Sequence, residues 1–385
     1  MSIHRKSDVT VVGAGPIGLL AAYLMSRKNL TVSLLDKSSE KEIFQPKEDG
    51  RAVALNKKTI NFFKKIGVWD LIESKHKYPI MRAEVFDGDS NSPLSFESKK
   101  SEPIGYFVKN ISIRKALCEM TIDNPKISLH YNRNIDKIIH NNHQDITVKC
   151  HDETFKQSLL LAADGRFSQL RRFANINYHK KEFKRIMYLV EIKHVLPHHN
   201  TAVEQFMYNG FTCAILPLSD FHSSIALTVP QDEYDLITEE EIEYIINQCV
   251  EKRIGKVDTI YSSHAYPLIS IYAQCFFSNS LALIGDAAIG MHPVTAHGFN
   301  LGVYGTKILS ECLDNIKVEN AFKKKISLTK YQTKLNLNAK PLYHATNQIV
   351  NTFTNDNYKF LRKTILTTAD KLPLWKKIIY KKIGI

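Results

Sequence analysis

Asp8-Val9-Thr10-Val11-Val12-Gly13-Ala14-Gly15-Pro16-Ile17-Gly18 decides how this chain begins to fold. A β-favouring run enters a glycine-rich turn, and the apolar spacing of Pro16–Lys28 beyond it is that of a helix. Thr31–Leu35 is β-rich again, so the first forty residues read as a βαβ unit. The turn is a GxGxxG. Gly13 permits the tight bend, Gly15 lets a pyrophosphate approach backbone N–H groups at the helix N-terminus, and Gly18 lets helix and strand meet. Ala14, Pro16 and Ile17 complete this loop. Asp36 ends the second strand 23 residues after Gly13, where it would accept from an adenosine ribose hydroxyl. The motif predicts dinucleotide binding and does not separate FAD from NAD.

Outward from this unit, 385 residues exceed the roughly 250–300 that one core serves, so more than one domain is expected. Helices are expected at Asn56–Ile66, at Ile113–Ile122 with Ser112 as its cap, and at Glu239–Val250 with an acidic first turn. Met81–Asp87 begins a strand region. Ile127–Tyr131, Ile135–His140 and Ile146–Cys150 read as a β-meander. Ser158–Ala163 is continuously apolar, as in a parallel strand covered on both faces. Strands alternate from Arg185 to Pro230. A second buried strand, Leu281–Ile284, leads to a helix starting near Gly298, and Ile326–Ile385 is helical by pattern. The expected fold is α/β: a discontinuous Rossmann-like nucleotide domain (1–76, 105–174, 274–330), an inserted mainly antiparallel substrate domain (77–104, 175–273), and a C-terminal helical region (331–385).

Composition excludes several classes. Hydrophobic residues at 44% and charged residues at 24% are globular values, not those of a disordered chain. The net charge of +13 comes mostly from lysine, with only 12 arginines, which argues against a nucleic-acid reader. Six cysteines without a CxxC pair suggest neither a metal site nor a disulfide framework, and fit a reducing, cytoplasmic compartment. No signal-peptide pattern and no apolar run of about 18 residues is present. A single GxGxxG argues against a separate NAD(P) domain of the disulfide-reductase kind. HExxH, P-loop and GxSxG motifs are missing, so zinc protease, NTPase and serine hydrolase readings have no support.

Two later glycine sites carry further chemistry. Ala163-Asp164-Gly165-Arg166-Phe167-Ser168 is followed by Arg171; Ile284-Gly285-Asp286-Ala287-Ala288 is followed by His292-Pro293 and by Gly298-Phe299-Asn300-Leu301-Gly302. Asp286, after a buried strand, offers a carboxylate acceptor to ligand hydroxyl groups. A helix starting at Gly298, Phe299 and Asn300 presents unpaired N–H groups and a positive dipole end that suit a ligand gathering negative charge.

In this order the motifs resemble those of the class A FAD-dependent aromatic-ring monooxygenases, and most of all the ubiquinone-biosynthesis ring hydroxylases. Their HPxxGQGFNLG pattern is here HPVTAHGFNLG. Asp49-Gly50-Arg51, Ile66-Gly67-Val68-Trp69, and Gly105-Tyr106 leading to Arg114 also match, so the likeness covers almost the whole chain. It implies a para-hydroxybenzoate-hydroxylase-like fold with FAD as cofactor and NAD(P)H or another reductant as electron donor. O2 would add at flavin C4a, and the hydroperoxide would hydroxylate an aromatic, polyprenylated phenol on the way to ubiquinone. By the same likeness, Arg51 and Arg114 approach the flavin, Asp164 and Arg171 share in cofactor binding, and Pro293 turns its carbonyl toward the substrate ring. His292 and His297 are candidates for proton handling by residue type. Two departures stand beside these matches. Ala296 occupies a glycine position that favours positive φ, and His297 replaces a glutamine whose hydrogen bond it would supply. The rival readings are hydroxylation of another aromatic compound and a non-catalytic flavin-binding scaffold of a biosynthetic complex. The basic, aromatic tail Arg362–Ile385 is expected to meet the inner face of a membrane, or a partner protein.

Overall fold

The structure is a computed structural model that describes residues 3–88, 93–97, 102–141, 145–207, 210–234, 236–314, 320–358, 362 and 364. It divides into two compact units. The first comprises Met1–Lys47, Ile113–Lys181 and Ile269–His344; the second comprises Glu48–Ser112, Glu182–Leu268 and Ala345–Ile385.

The first unit is built on a parallel sheet. Strand β1 (Ile3–Val12) leads through the glycine turn into α1 (Pro16–Ser26), and β2 (Val32–Leu35) returns beside β1 in parallel, Val12 opposite Leu35. β3 (Ile127–His130) extends the sheet beyond β2. On the other side of β1, after the antiparallel pair β4 (Lys137–Asn141) and β5 (Asp145–Cys150), runs the central strand β6 (Glu153–Ala162). β6 is parallel to β1, Ala162 opposite Val12. The short helix α2 (Gln169–Phe173) follows, and β7 (Leu281–Leu283) pairs in parallel with β6 on its far side. α3 (Gly298–Cys312) completes the set. Flanked in this way, Leu159, Leu160, Leu161 and Ala162 are fully buried, and each leucine contributes about 2 kcal/mol by leaving water. Proline at the first helical position sets φ for α1, and Leu19, Leu20, Ala21, Ala22 and Met25 bury most of its circumference.

The second unit is mainly antiparallel. Its sheet runs from Val257–Ala273 through Tyr178–His194, His222–Pro230, Thr212–Pro217, Thr201–Phe206 and Arg82–Asp87 to Leu94–Glu97. Thr201–Phe206 and Arg82–Asp87 pair in parallel; the neighbouring pairs Tyr178–His194/His222–Pro230, His222–Pro230/Thr212–Pro217 and Arg82–Asp87/Leu94–Glu97 are antiparallel. The helix Glu239–Ile254, opened by a Thr238–Glu241 capping box, covers it with Ile242, Ile246, Val250 and Ile254. A three-stranded sheet of Ala52–Asn56, Gly105–Lys109 and Tyr78–Ile80 belongs to the same unit.

Several sequence expectations are corrected. Ile127–His130 is not part of a meander: it pairs in parallel with β2, and only β4, β5 and β6 form the antiparallel run. The helix expected to start after Ser112 starts at Asn110, leaving Ser112 in its first turn. Residues 48–76 and 105–112 pack with the second unit, because Ala52–Asn56 pairs with Gly105–Lys109, and 331–344 pack with the first. Within the region expected to be helical from Ile326, a helix runs from Ala321 to Phe353. Arg362, counted among the tail's basic residues, is fully buried, with Nε 3.1 Å from Asp87 and Nη1 donating to the Phe353 carbonyl. The rest of the tail reading, 365–385 and Lys363, lies outside the described residues.

Candidate functional site

The three glycine motifs meet in the first unit around the β1–α1 turn, two of them at Ile17. A Cβ on Gly285 would lie 3.0 Å from Ile17 Cγ2, and one on Gly302 would lie 3.0 Å from Ile17 Cδ1 and 3.5 Å from Gly285 Cα. The β1–α1 turn, the loop after β7 and the first turns of α3 are therefore in contact through glycines whose Cβ would crowd Ile17. Gly13, at φ 106°, approaches the loop after β6 more closely still: its Cβ would stand 2.4 Å from the Ala163 carbonyl oxygen. Gly18 has its carbonyl neighbour within α1's own entry, since a Cβ there would fall 1.7 Å from Gly13 O. Gly15 differs from these. It has an ordinary extended conformation, φ −71° and ψ 172°, and a Cβ would meet nothing within 4 Å. Space is left open above this one glycine of the turn, where the sequence places a pyrophosphate.

Asp36 holds this turn from behind. Its Oδ2 accepts from Ala14 N–H at 2.5 Å and its Oδ1 from Ser38 N–H at 2.8 Å. At the other side, His297 at the N-cap of α3 gives no side-chain cap and no acid lies in the first turn, so the positive end of a 15-residue helix is not neutralised by its own side chains. Asn300 is buried and donates through Nδ2 to the Ala296 carbonyl at 3.1 Å. Ala296 itself is left-handed, φ 51° and ψ 26°, the conformation its glycine-replacing position foreshadowed. Its N–H donates to Pro293 O at 2.7 Å, closing the Pro293–Thr295 turn. His292 is buried and its Nδ1 accepts from Val294 N–H at 3.2 Å; His297 is buried too.

Asp164 and Arg171 knit loops together. The Asp164 carboxylate accepts from Ser168 Oγ at 2.5 Å and Leu170 N–H at 3.0 Å, which caps α2. Gly165, at φ 80°, makes the turn. Arg171 is 1% exposed; it donates to Ala287 O at 2.9 Å and to Arg166 O at 3.0 Å, and lies over the Tyr178 ring at 4.2 Å. Burial lowers its pKa from the usual arginine range. Arg114 sits half-buried on Asn110–Ile122, near Cys118, whose thiol burial pushes up to about 11. Arg51 belongs to the second unit, where its Nε donates to Asp49 Oδ2 at 2.7 Å and its guanidinium stands 6.0 Å from the Tyr266 ring.

One residue was missed by the sequence reading. Arg166 donates to Ile269 O at 2.7 Å, to Met291 O at 3.3 Å and to Asp286 Oδ2 at 3.2 Å. The available signal was an arginine directly after Asp164-Gly165 in a chain with twelve.

FAD fits these residues. Gly15 is open where a pyrophosphate would approach, the half-exposed Asp286 offers a carboxylate oxygen, and the start of α3, without a side-chain cap, would favour negative charge. Comparison with known proteins points the same way. The family model described as FAD binding domain matches residues 6–334. The ubiquinone hydroxylase UbiM of Neisseria meningitidis is 34% identical over 395 aligned positions, covering all of this chain and 85% of that protein. The ubiquinone hydroxylase UbiL of Rhodospirillum rubrum is 27% identical, over 81% of this chain and 73% of that one. Among solved structures, p-nitrophenol 4-monooxygenase PnpA of Pseudomonas putida superposes with a TM-score of 0.81 at 17% identity, covering 99% of each chain. At that identity the likeness speaks for the fold.

Proposed function

Because this chain belongs to the FAD binding domain family, we propose that it is an FAD-dependent monooxygenase that hydroxylates a phenolic ring in ubiquinone biosynthesis. The observation that carries this reading is the convergence of three motifs on the β1–α1 turn, Gly285 and Gly302 at Ile17 and the Ala163–Asp164 backbone at Gly13, with Gly15 open beside them. FAD, once reduced, supplies the chemistry: it activates O2 so that one oxygen atom enters an electron-rich ring. The chain's own residues bind, orient and shield. Gly15 and the N-terminus of α1 receive the pyrophosphate, and Asp36, already fixing Ala14, lies at the adenosine ribose. Asp286 accepts from the ribityl hydroxyls. Gly298, Phe299 and Asn300 bring the positive end of α3 to the isoalloxazine edge, where charge accumulates on reduction. Asp164, Gly165 and Arg171 act on the cofactor through the loops they join, Arg171 by holding Ala287 next to Asp286. His297 serves as a hydrogen-bonding residue at the α3 start and not as an obligatory base.

In this reading the first unit binds FAD, with Arg114 serving the cofactor's phosphates or its movement, and the second is the substrate domain. NAD(P)H is the electron donor, and the ring to be hydroxylated carries a polyprenyl chain. No helix among the described residues is long and apolar enough to cross a membrane, and in this reading the lipid substrate is met at a membrane surface. The tail beyond Asp370 supplies that contact with Lys371, Lys376, Lys377, Lys381 and Lys382 among apolar residues. Purified protein is expected to carry one FAD that denaturation releases and, with NAD(P)H supplied, to consume O2 faster when a polyprenylphenol is added. Bound NAD alone, or oxygen uptake indifferent to the phenol, would contradict the proposal.

A further inference from the structure

We infer that Arg166 is a positioning residue for FAD: it neutralises Asp286, so that this carboxylate accepts from the cofactor's hydroxyl groups without repelling its pyrophosphate. The inference rests on the FAD reading above. Arg166 follows the turn residue Gly165 and reaches three acceptors from separate stretches of chain, Ile269 O, Met291 O and Asp286 Oδ2. Gly290 makes room for it, since a Cβ there would lie 2.9 Å from Arg166 Nε. The two backbone bonds fix the guanidinium, so the third partner, Asp286, is held where Arg166 puts it. Asp286 adjoins Gly285, which packs on Ile17 of the turn that receives the phosphates. A bare carboxylate at that place would face two phosphate charges at short range in a partly desolvated site, and like charges there oppose binding. With Arg166 at 3.2 Å, the pair presents acceptor oxygens with little net charge.

Rescue distinguishes this role from a merely structural one. FAD is titrated into deflavinated wild type, Arg166→Met, Asp286→Asn and the double variant, followed by flavin fluorescence. Arg166→Met is expected to weaken FAD by at least about tenfold, the loss attending a charge-assisted pair. Asp286→Asn in that background is expected to recover part of the affinity, because it removes the uncompensated charge while an amide oxygen still accepts. Raising ionic strength is expected to strengthen FAD binding to Arg166→Met, by screening the repulsion. Arg166→Lys retains the charge and guards against a failure of Arg166→Met to fold; it is expected to bind FAD better than Arg166→Gln. Unchanged affinity in Arg166→Met, no recovery in the double variant, or equal Lys and Gln variants would overturn the inference while leaving the FAD reading in place. A wild type that takes up no FAD removes both.

Discussion

Ala296 holds a left-handed conformation that costs an L-residue about 1–2 kcal/mol over glycine. Glycine's larger unfolded-state entropy returns roughly 0.4–1 kcal/mol of that. Ala296→Gly is therefore expected to raise the urea midpoint by the equivalent of about 0.5–1 kcal/mol; a fall in midpoint would show that the surrounding turn prefers the methyl group. Its neighbour, His297→Gln, is expected to keep most hydroxylation and normal FAD content, whereas a loss of about a thousandfold would give the imidazole a chemical role. His130 gives a pH-dependent test. It is buried at the end of β3, edge-on to Phe155 at 4.8 Å, with Nε2 unpartnered among the described residues. Burial, helped by the Arg5 and Arg133 charges, holds its pKa down at about 4. Between that value and the unfolded value near 6.5 the unfolded chain binds more protons, so this contribution to stability is complete above pH 6.5 and is lost as pH falls toward 4. Its limit is about 3 kcal/mol. Urea midpoints measured across this range are expected to fall more steeply in wild type than in His130→Phe; parallel curves would deny His130 the effect.

At the level of the elements, the glycines of the β1–α1 turn separate folding from binding. Gly15→Ala fits the observed φ and meets no neighbour, so the apo protein is expected to fold with wild-type stability within about 0.5 kcal/mol. The same methyl group occupies the pyrophosphate's approach, and FAD affinity is expected to drop at least about tenfold. Gly18→Ala cannot be accommodated 1.7 Å from a carbonyl oxygen and is expected to yield little soluble protein. Equal FAD affinity in Gly15→Ala and wild type would move the cofactor elsewhere. This turn was legible in the sequence because its requirements are local: a strand, three glycines and a helix within eleven residues. The apolar run of β6 was legible because a parallel strand buried on both faces needs apolar residues at every position. β3 was misread because parallel pairing with β2 joins Ile127 to Val32, and alternating apolar residues do not say which strand they will meet.

The same limit operates across the molecule. Arg166 reaches Ile269, Asp286 and Met291 over more than a hundred residues of chain, and Gly105–Lys109, paired with both Ala52–Asn56 and Tyr78–Ile80, joins these segments in the second unit. Such contacts depend on the assembled sheets, and no spacing rule anticipates them. What the sequence order of the three motifs did anticipate is the chemistry, because each motif needs its residue types at fixed places around one cofactor. The most direct measurement is therefore isotopic. The FAD-loaded protein is incubated with NADH or NADPH and a polyprenylphenol under 18O2, and the phenol is recovered for mass spectrometry. The account predicts one 18O atom incorporated as a new ring hydroxyl, dependent on FAD; a phenol recovered unchanged while reductant and oxygen are consumed would contradict it.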